Sequence, residues 1–183
     1  GLLAGEHLAN DIRRMEAAYL EQNSRDLEIT KHISLAQYFP LSLLALKEVG
    51  ACTLVLPEWL FDLDYPGHYC RRLKSVSISL PCVVGPYTSI NCTLSLTNHG
   101  IRVRKDVAGG YGDPLAAGDE RFFKSLVPQT AIATSHGQND SGMFELNFND
   151  ERFLPFEGAG AVSEWRLELP RENNQFDLAT LAD

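Results

Sequence analysis

At 183 residues the chain is long enough for one domain that buries roughly two-thirds to 70% of its unfolded surface. Its 44% apolar and 22% charged residues suit a globular protein, and the lack of any run of eighteen apolar residues predicts no membrane-spanning helix. A net charge of −8 argues against nucleic acid, whose phosphates require a basic footprint.

Gly1, rather than Met, opens directly into LLAGEHLANDIRRMEAAYLEQN, with no basic stretch, apolar core and cleavage site. This reads as the interior of a longer chain and not as a signal peptide. Residues 2 to 23 are predicted to be helical, because Leu8, Ile12, Met15 and Tyr19 recur at steps of four, three and four and align in one stripe. Arg13, Arg14, Glu16 and Glu21 take other faces. Two uses of the stripe stay open: packing on the domain's own core, or continuing an upstream helical assembly.

From residue 27 the period becomes two. In LEITKHISL, Leu27, Ile29, Ile33 and Leu35 fall on one face of a predicted strand. Two short helices are expected next, PLSLLALKEVG at 40–50 and PEWLFDL at 57–63, each with proline in its first turn, and Gly50 ends the first. CTLVL at 52–56 is a short strand candidate between them. Alternation returns in KSVSISL (Val76, Ile78, Leu80) and INCTLSL (Ile90, Cys92, Leu94, Leu96). Residues 106–128 lack periodicity and hold four glycines and two prolines, so they are expected to form the longest loop. AIATS at 131–135, MFELNF (Phe144, Leu146, Phe148) and SEWRLEL (Trp165, Leu167, Leu169) complete the strands. Strands that bury one face and wet the other favour antiparallel pairing. The fold class expected is mainly β: an antiparallel β-sandwich-like domain with an N-terminal α-helix and short helical insertions.

Between MFELNF and SEWRLEL, Pro155, Gly158 and Gly160 are read as a tight turn, GQNDSG at 137–142 as another, and Phe153, Phe156 and Trp165 as core anchors. No combination of residues suggests chemistry. Asp62 and Asp64 stand beside each other in FDLDYPG, whereas glycosidase carboxyls face each other across a substrate. Ser135 and His136, with Asp140, are sequence neighbours, so the first two point to opposite faces of one strand. Gly109-Gly110-Tyr111-Gly112 lacks the lysine and following helix of a phosphate cradle. The histidines at 7, 32, 68, 99 and 136 have no ligand spacing. Cys52, Cys70, Cys82 and Cys92 form no C-x-x-C pair and read as reduced structural thiols. Arg13-Arg14 and Arg71-Arg72 read as solvated or salt-bridged faces. The expectation is no catalytic, metal or cofactor-binding residue.

Three blocks carry a resemblance. GQNDSGMFELNFNDERFLPFEGAGAVSEWRLELP, LLAGEHLANDIRRMEAAYLEQNSRDLEITKHISL and FDLDYPGHYCRRLKSVSISLPCVVGPYTSINCTLSL are similar to the C-terminal TcB-binding domain of Tc toxin A components, the pore-forming subunits of insecticidal toxin complexes. Together they span most of the chain and leave residues 100–128 as the divergent part. The resemblance implies a homo-pentamer whose helical channel carries a toxin across a target membrane. It further implies a platform that receives the β-propeller of the TcB–TcC cocoon, with residues 1–24 continuing from the channel-forming region and 25–183 forming the TcB-binding domain. It implies a secreted or cell-surface-associated bacterial toxin, with membrane contact through other regions, and a further strand after QFDLATLAD. No family interface residue transfers directly. The docking residues expected from exposed loop aromatics are Tyr87, Tyr111, Phe122 and Phe123. The competing readings are a carbohydrate-binding β-sandwich for cell-surface attachment, with Trp and Tyr stacking on sugars, and a hydrolase using Asp62 or Asp64.

Overall fold

The computed structural model describes residues 2–22, 26–85, 88–106, 110–111, 119–125, 128–136, 143–147, 155–174 and 176–183, which fall into two units, residues 1–32 and 33–183. In the first unit, helix α1 (Leu2–Gln22) carries the expected stripe, with Leu8, Ile12 and Met15 exposed. No helix among the described residues is long and apolar enough to cross a membrane.

The strand expected at 27–35 does not form. Residues 26–34 have no regular structure, Leu27 and Ile29 are exposed, and Leu35 opens helix α2 (Leu35–Tyr38). An alternating pattern specifies a strand only where a partner buries one of its faces. Ser34 directs the chain elsewhere: its Oγ accepts from the Gln37 N–H at 3.1 Å, capping α2. The same hydroxyl donates to Asp183 Oδ1 at 2.8 Å, an oxygen that also accepts from the Ala36 N–H at 2.7 Å.

Helix α3 (Pro40–Val49) starts on its proline and stops at Gly50, whose φ of 82° is left-handed and whose N–H reaches Leu46 O at 2.9 Å. Leu43 and Leu46 point inward. Strand β1 (Ala51–Leu56) follows, then α4 (Glu58–Asp62), with Pro57 in the N-cap position just before its first turn.

The main sheet is wholly antiparallel. Strand β7 (Val162–Glu168) lies between β1 and β3 (Ser89–Arg102). The other edge of β3 is shared: β5 (Gln129–His136) pairs with its first half and β4 (Phe122–Ser125) with its last four residues. Strand β4 lies inside the stretch expected to be all loop. Four residues beginning with two phenylalanines give no readable alternation, and the pairing with His99–Arg102 creates the strand. A second, two-stranded sheet joins β2 (Ser77–Pro81) to β6 (Met143–Asn147).

One apolar core unites these layers. Ile90, Cys92, Leu94 and Leu96 of β3 meet Trp165, Leu167 and Leu169, with Leu80 from the second sheet and Leu46 from α3. The alternation of β3 and β7 thus buries the faces expected, and the chain is mainly antiparallel β with an N-terminal helix and short helical insertions. Phe156 and Trp165 pack edge to face at 4.8 Å, and the indole N–H donates to Ser163 Oγ at 2.7 Å, so the core's polar atom is satisfied. Phe153 and GQNDSG lie outside the described residues.

The turn into β7 depends on Gly160, where a Cβ would stand 2.2 Å from Gly100 O, a backbone atom that cannot swing aside. Gly158 needs glycine for a different reason, its φ of 80°, and open space surrounds it. Gly160→Ala is therefore expected to cost about 2–4 kcal/mol, the upper end for forcing atoms into a packed site, against about 1 kcal/mol for Gly158→Ala. Urea unfolding of both variants checks this, and equal losses would contradict it.

Candidate functional site

A bulge in β3 decides where the polar residues go. Pairing with β7 runs Leu96 to Trp165 and then Asn98 to Glu164, which leaves Thr97 as an extra residue. The parity of the strand reverses there. His99, paired with Ser163, keeps the core side, and Arg102 turns to the opposite face of the sheet, toward α4.

Arg102 is buried, and so is its partner Glu58 at the start of α4. Glu58 Oε1 accepts from Arg102 Nε and Oε2 from Nη2, both at 2.5 Å, while Nη1 donates to Asp106 O at 2.9 Å. The Phe122 ring lies under the guanidinium, 4.6 Å from Cζ. The bond to Glu58 pushes the Arg102 pKa above its ordinary value. The fork of Arg matches a carboxylate in a way a lysine would not.

A second pair extends this one, because positions four apart share a face of a helix. Asp62 follows Glu58 by one turn and pairs with Arg71. Arg71 Nη2 also donates to Tyr65 O at 2.9 Å, and Nη1 stands 4.0 Å from Glu58 Oε1. The Asp62 carboxylate, as a hydrogen-bond acceptor, pushes the Tyr111 pKa above its ordinary value. Arg121, held by Asp119 through contacts of 2.6–3.1 Å, donates from Nη1 to Gly110 O at 3.0 Å. The bonds from Arg121 hold the Asp119 carboxyl down at about 2.

Half-exposed aromatics occur on the segments that carry this network. Trp59 is 43% exposed, Tyr69 45% and Tyr111 44%. Trp59 and the exposed Leu63, four apart, take a different face of α4 from Glu58 and Asp62. The recess bounded by Glu58, Tyr69, Cys70, Arg71 and Arg102 has no open volume. Chemically the arrangement offers a rigid charged base with aromatic edges, suited to contact with another surface.

Of the aromatics expected from sequence, Tyr111 is one of these, and Tyr87 lies outside the described residues. The Phe122–Phe123 pair separates, because neighbours on a strand face opposite ways. Phe122 is 6% exposed and sits beneath Arg102, so it supports the surface from inside, while Phe123 is 60% exposed on the other side of β4. Trp59, Tyr69 and the Glu58–Arg102 pair were missed by sequence reasoning. The ion pair spans 44 positions and leaves no local signal, though Trp59 in PEWLF was visible as an aromatic beside a turn.

The other candidates are dispersed. Asp62 closes a helix and Asp64 lies in the following turn, so they do not point together as extended residues would. Ser135 and His136 adjoin on β5, while Asp140 lies outside the described residues. Burial pushes Cys52 up to about 11 and Cys92 up to about 12, which keeps these thiols protonated. His99 accepts from the Gly160 N–H at Nδ1, at 3.0 Å, and burial lowers its pKa. No group of three His, Cys, Asp or Glu among the described residues could hold a metal ion.

Comparison with known proteins gives a consistent result. The family described as the Tc toxin complex TcA C-terminal TcB-binding domain matches residues 1–183. Toxin subunit YenA2 of Yersinia entomophaga is 43% identical over 184 aligned positions that cover 97% of this chain, which spans only 14% of that protein's length. No solved structure matches the chain.

Arg102→Met strands the Glu58 carboxylate and is expected to cost about 3–5 kcal/mol, whereas adding Glu58→Leu is expected to recover most of the loss. Guanidinium unfolding measures both; a double variant as unstable as the single one would point to packing as the cause. His99 gives a pH signature. Held neutral in the fold, it takes up a proton on unfolding below about pH 6.5, so its contribution is fully present above that pH and is lost as the pH falls. His99→Gln is expected to flatten the stability change between about pH 7.5 and about pH 5, and an unaltered slope in urea titrations would count against this.

Proposed function

Because the chain belongs to the family of Tc toxin complex TcA C-terminal TcB-binding domains, we propose that its work is non-catalytic assembly, docking the β-propeller of the TcB–TcC cocoon onto the translocation channel of a pore-forming A subunit. The family match along the entire chain carries this reading. In it, residues 1–24 continue from the channel-forming region and 25–183 receive TcB. Five copies stand around the channel mouth of a secreted toxin, and other regions of the subunit meet the host membrane.

The docking residues are Tyr111 and Phe123, with Tyr87 as a third and Phe122 backing the surface from beneath. Trp59 and Tyr69 join Tyr111 on the α4 side. Aromatic side chains of this kind dominate interface energetics because they exclude much water for few lost rotations. One copy is expected to bind weakly and five linked copies tightly, since linkage raises effective concentration.

TcB immobilised on a biosensor is expected to capture the assembled full-length A subunit at about nanomolar affinity. Tyr111→Ala or Phe123→Ala is expected to weaken capture about tenfold. An assembled subunit that ignores TcB would overturn the reading. Wild-type capture by both variants would remove the aromatic surface from it.

A further inference from the structure

The hydrogen bond made by His99 exists in one protonation state only. Nδ1 accepts from the Gly160 N–H at 3.0 Å, which the neutral imidazole can do and the imidazolium, a donor at both nitrogens, cannot. Serines take the positions paired with this buried residue, Ser163 on β7 and Ser125 on β4. The charged groups on the surrounding elements face elsewhere. Glu164, Lys124 and Arg102 hold register positions on the opposite face of the sheet, Arg72 and Glu157 are exposed, and Arg121 is bound to Asp119. Among the described residues no carboxylate is placed to stabilise a protonated His99, and burial lowers its pKa.

The Gly160 turn is stitched to residues 71–73. The Ala161 N–H donates to Arg71 O at 3.2 Å, the Leu73 N–H to Ala159 O at 2.7 Å and the Gly158 N–H to Leu73 O at 2.8 Å. Arg71 in turn holds α4 and the turn after it, through Asp62 and Tyr65 O. Gly160 has no room to yield toward β3, because Gly100 O stands 2.2 Å from the place of a Cβ. Two donors forced to face each other at His99 therefore push the turn away from β3, and residues 71–73 go with it.

We propose that His99 is an acid-operated latch on the docking surface. Its protonation lifts the 158–161 turn from β3 and, through Arg71, loosens the α4 side that carries Trp59 and Tyr69. The domain thus holds its partner near neutral pH and releases it in acid. This rests on the docking reading above and adds its regulation. An ordinary imidazole titrates near about pH 6.5, and His99, held neutral by burial, follows only at lower pH. Contact side chains that lose their fixed positions weaken association about two- to tenfold.

The test uses the assembled full-length A subunit and immobilised TcB, with affinity measured at about pH 7.5 and at about pH 5. The ratio of the two affinities is read within each protein, so titration of TcB itself cancels between variants. Wild type is expected to lose about three- to tenfold in acid. His99→Gln, whose side-chain carbonyl can accept from Gly160 at either pH, is expected to lose much less. Equal ratios in the two proteins, or a wild-type affinity that does not fall, overturn the latch and leave docking standing. Hydrogen exchange of the wild-type subunit keeps the question answerable even if His99→Gln fails to fold. After correction for the intrinsic effect of pH, peptides covering 70–73 and 158–161 are expected to lose protection in acid while those covering 89–96 keep it. Unchanged protection at 158–161 also overturns the latch. A subunit that ignores TcB at about pH 7.5 overturns the docking reading itself, and the latch's role in docking with it.

Discussion

The guanidinium of Arg102 has been taken out of water on the face of the sheet opposite the main core, and the surrounding polar architecture answers that one charge. Moving an ion from water into a protein interior costs several kcal/mol even after relaxation, and only close, well-aligned partners offset it. Glu58 supplies two such contacts, the backbone at Asp106 a third and the Phe122 ring a fourth. Replacing such a group with apolar residues is often nearly neutral for stability, so its value here lies in geometry. It locks α4, the last turn of β3 and the start of the following loop into one arrangement.

That arrangement has a layered logic. Beneath lies the ion pair, then the Arg71–Asp62 pair one helical turn further along α4, and at the rim Tyr69. Rigid support under exposed aromatics is what an interface needs, because a contact side chain that must first be ordered contributes less than its area suggests. Strand β4 divides the surface: Phe122 anchors one side while Phe123 projects from the other. A partner that touches both Tyr111 and Phe123 has to reach around that strand.

Most of the framework was legible because burial leaves a periodic trace. Ile90 through Leu96 and Trp165 through Leu169 alternate in sequence as they do in space, and Gly50 marks the end of α3 by its left-handed backbone. LEITKHISL shows the limit of that signal, since the same alternation arises in a segment with no strand beside it. Other features were invisible for physical reasons. The Thr97 bulge is one residue's change of register, yet it decides which face Arg102 takes. The union of Glu58 with Arg102 depends on two distant elements meeting, which neither stretch of sequence encodes alone. Tyr111 could be read as an exposed loop aromatic because glycines flank it on both sides.

The thiols carry a practical consequence. Cys52, Cys82 and Cys92 are sealed in the interior with raised pKa values, while Cys70 is exposed on a left-handed backbone with φ of 55°, its N–H bonded to Arg102 O at 3.0 Å. A maleimide dye would thus attach to this chain at a single address, on the rim of the charged recess and beside Tyr69. Its emission would brighten or dim as a neighbouring body covers that rim, which makes the native sequence its own fluorescence sensor of contact.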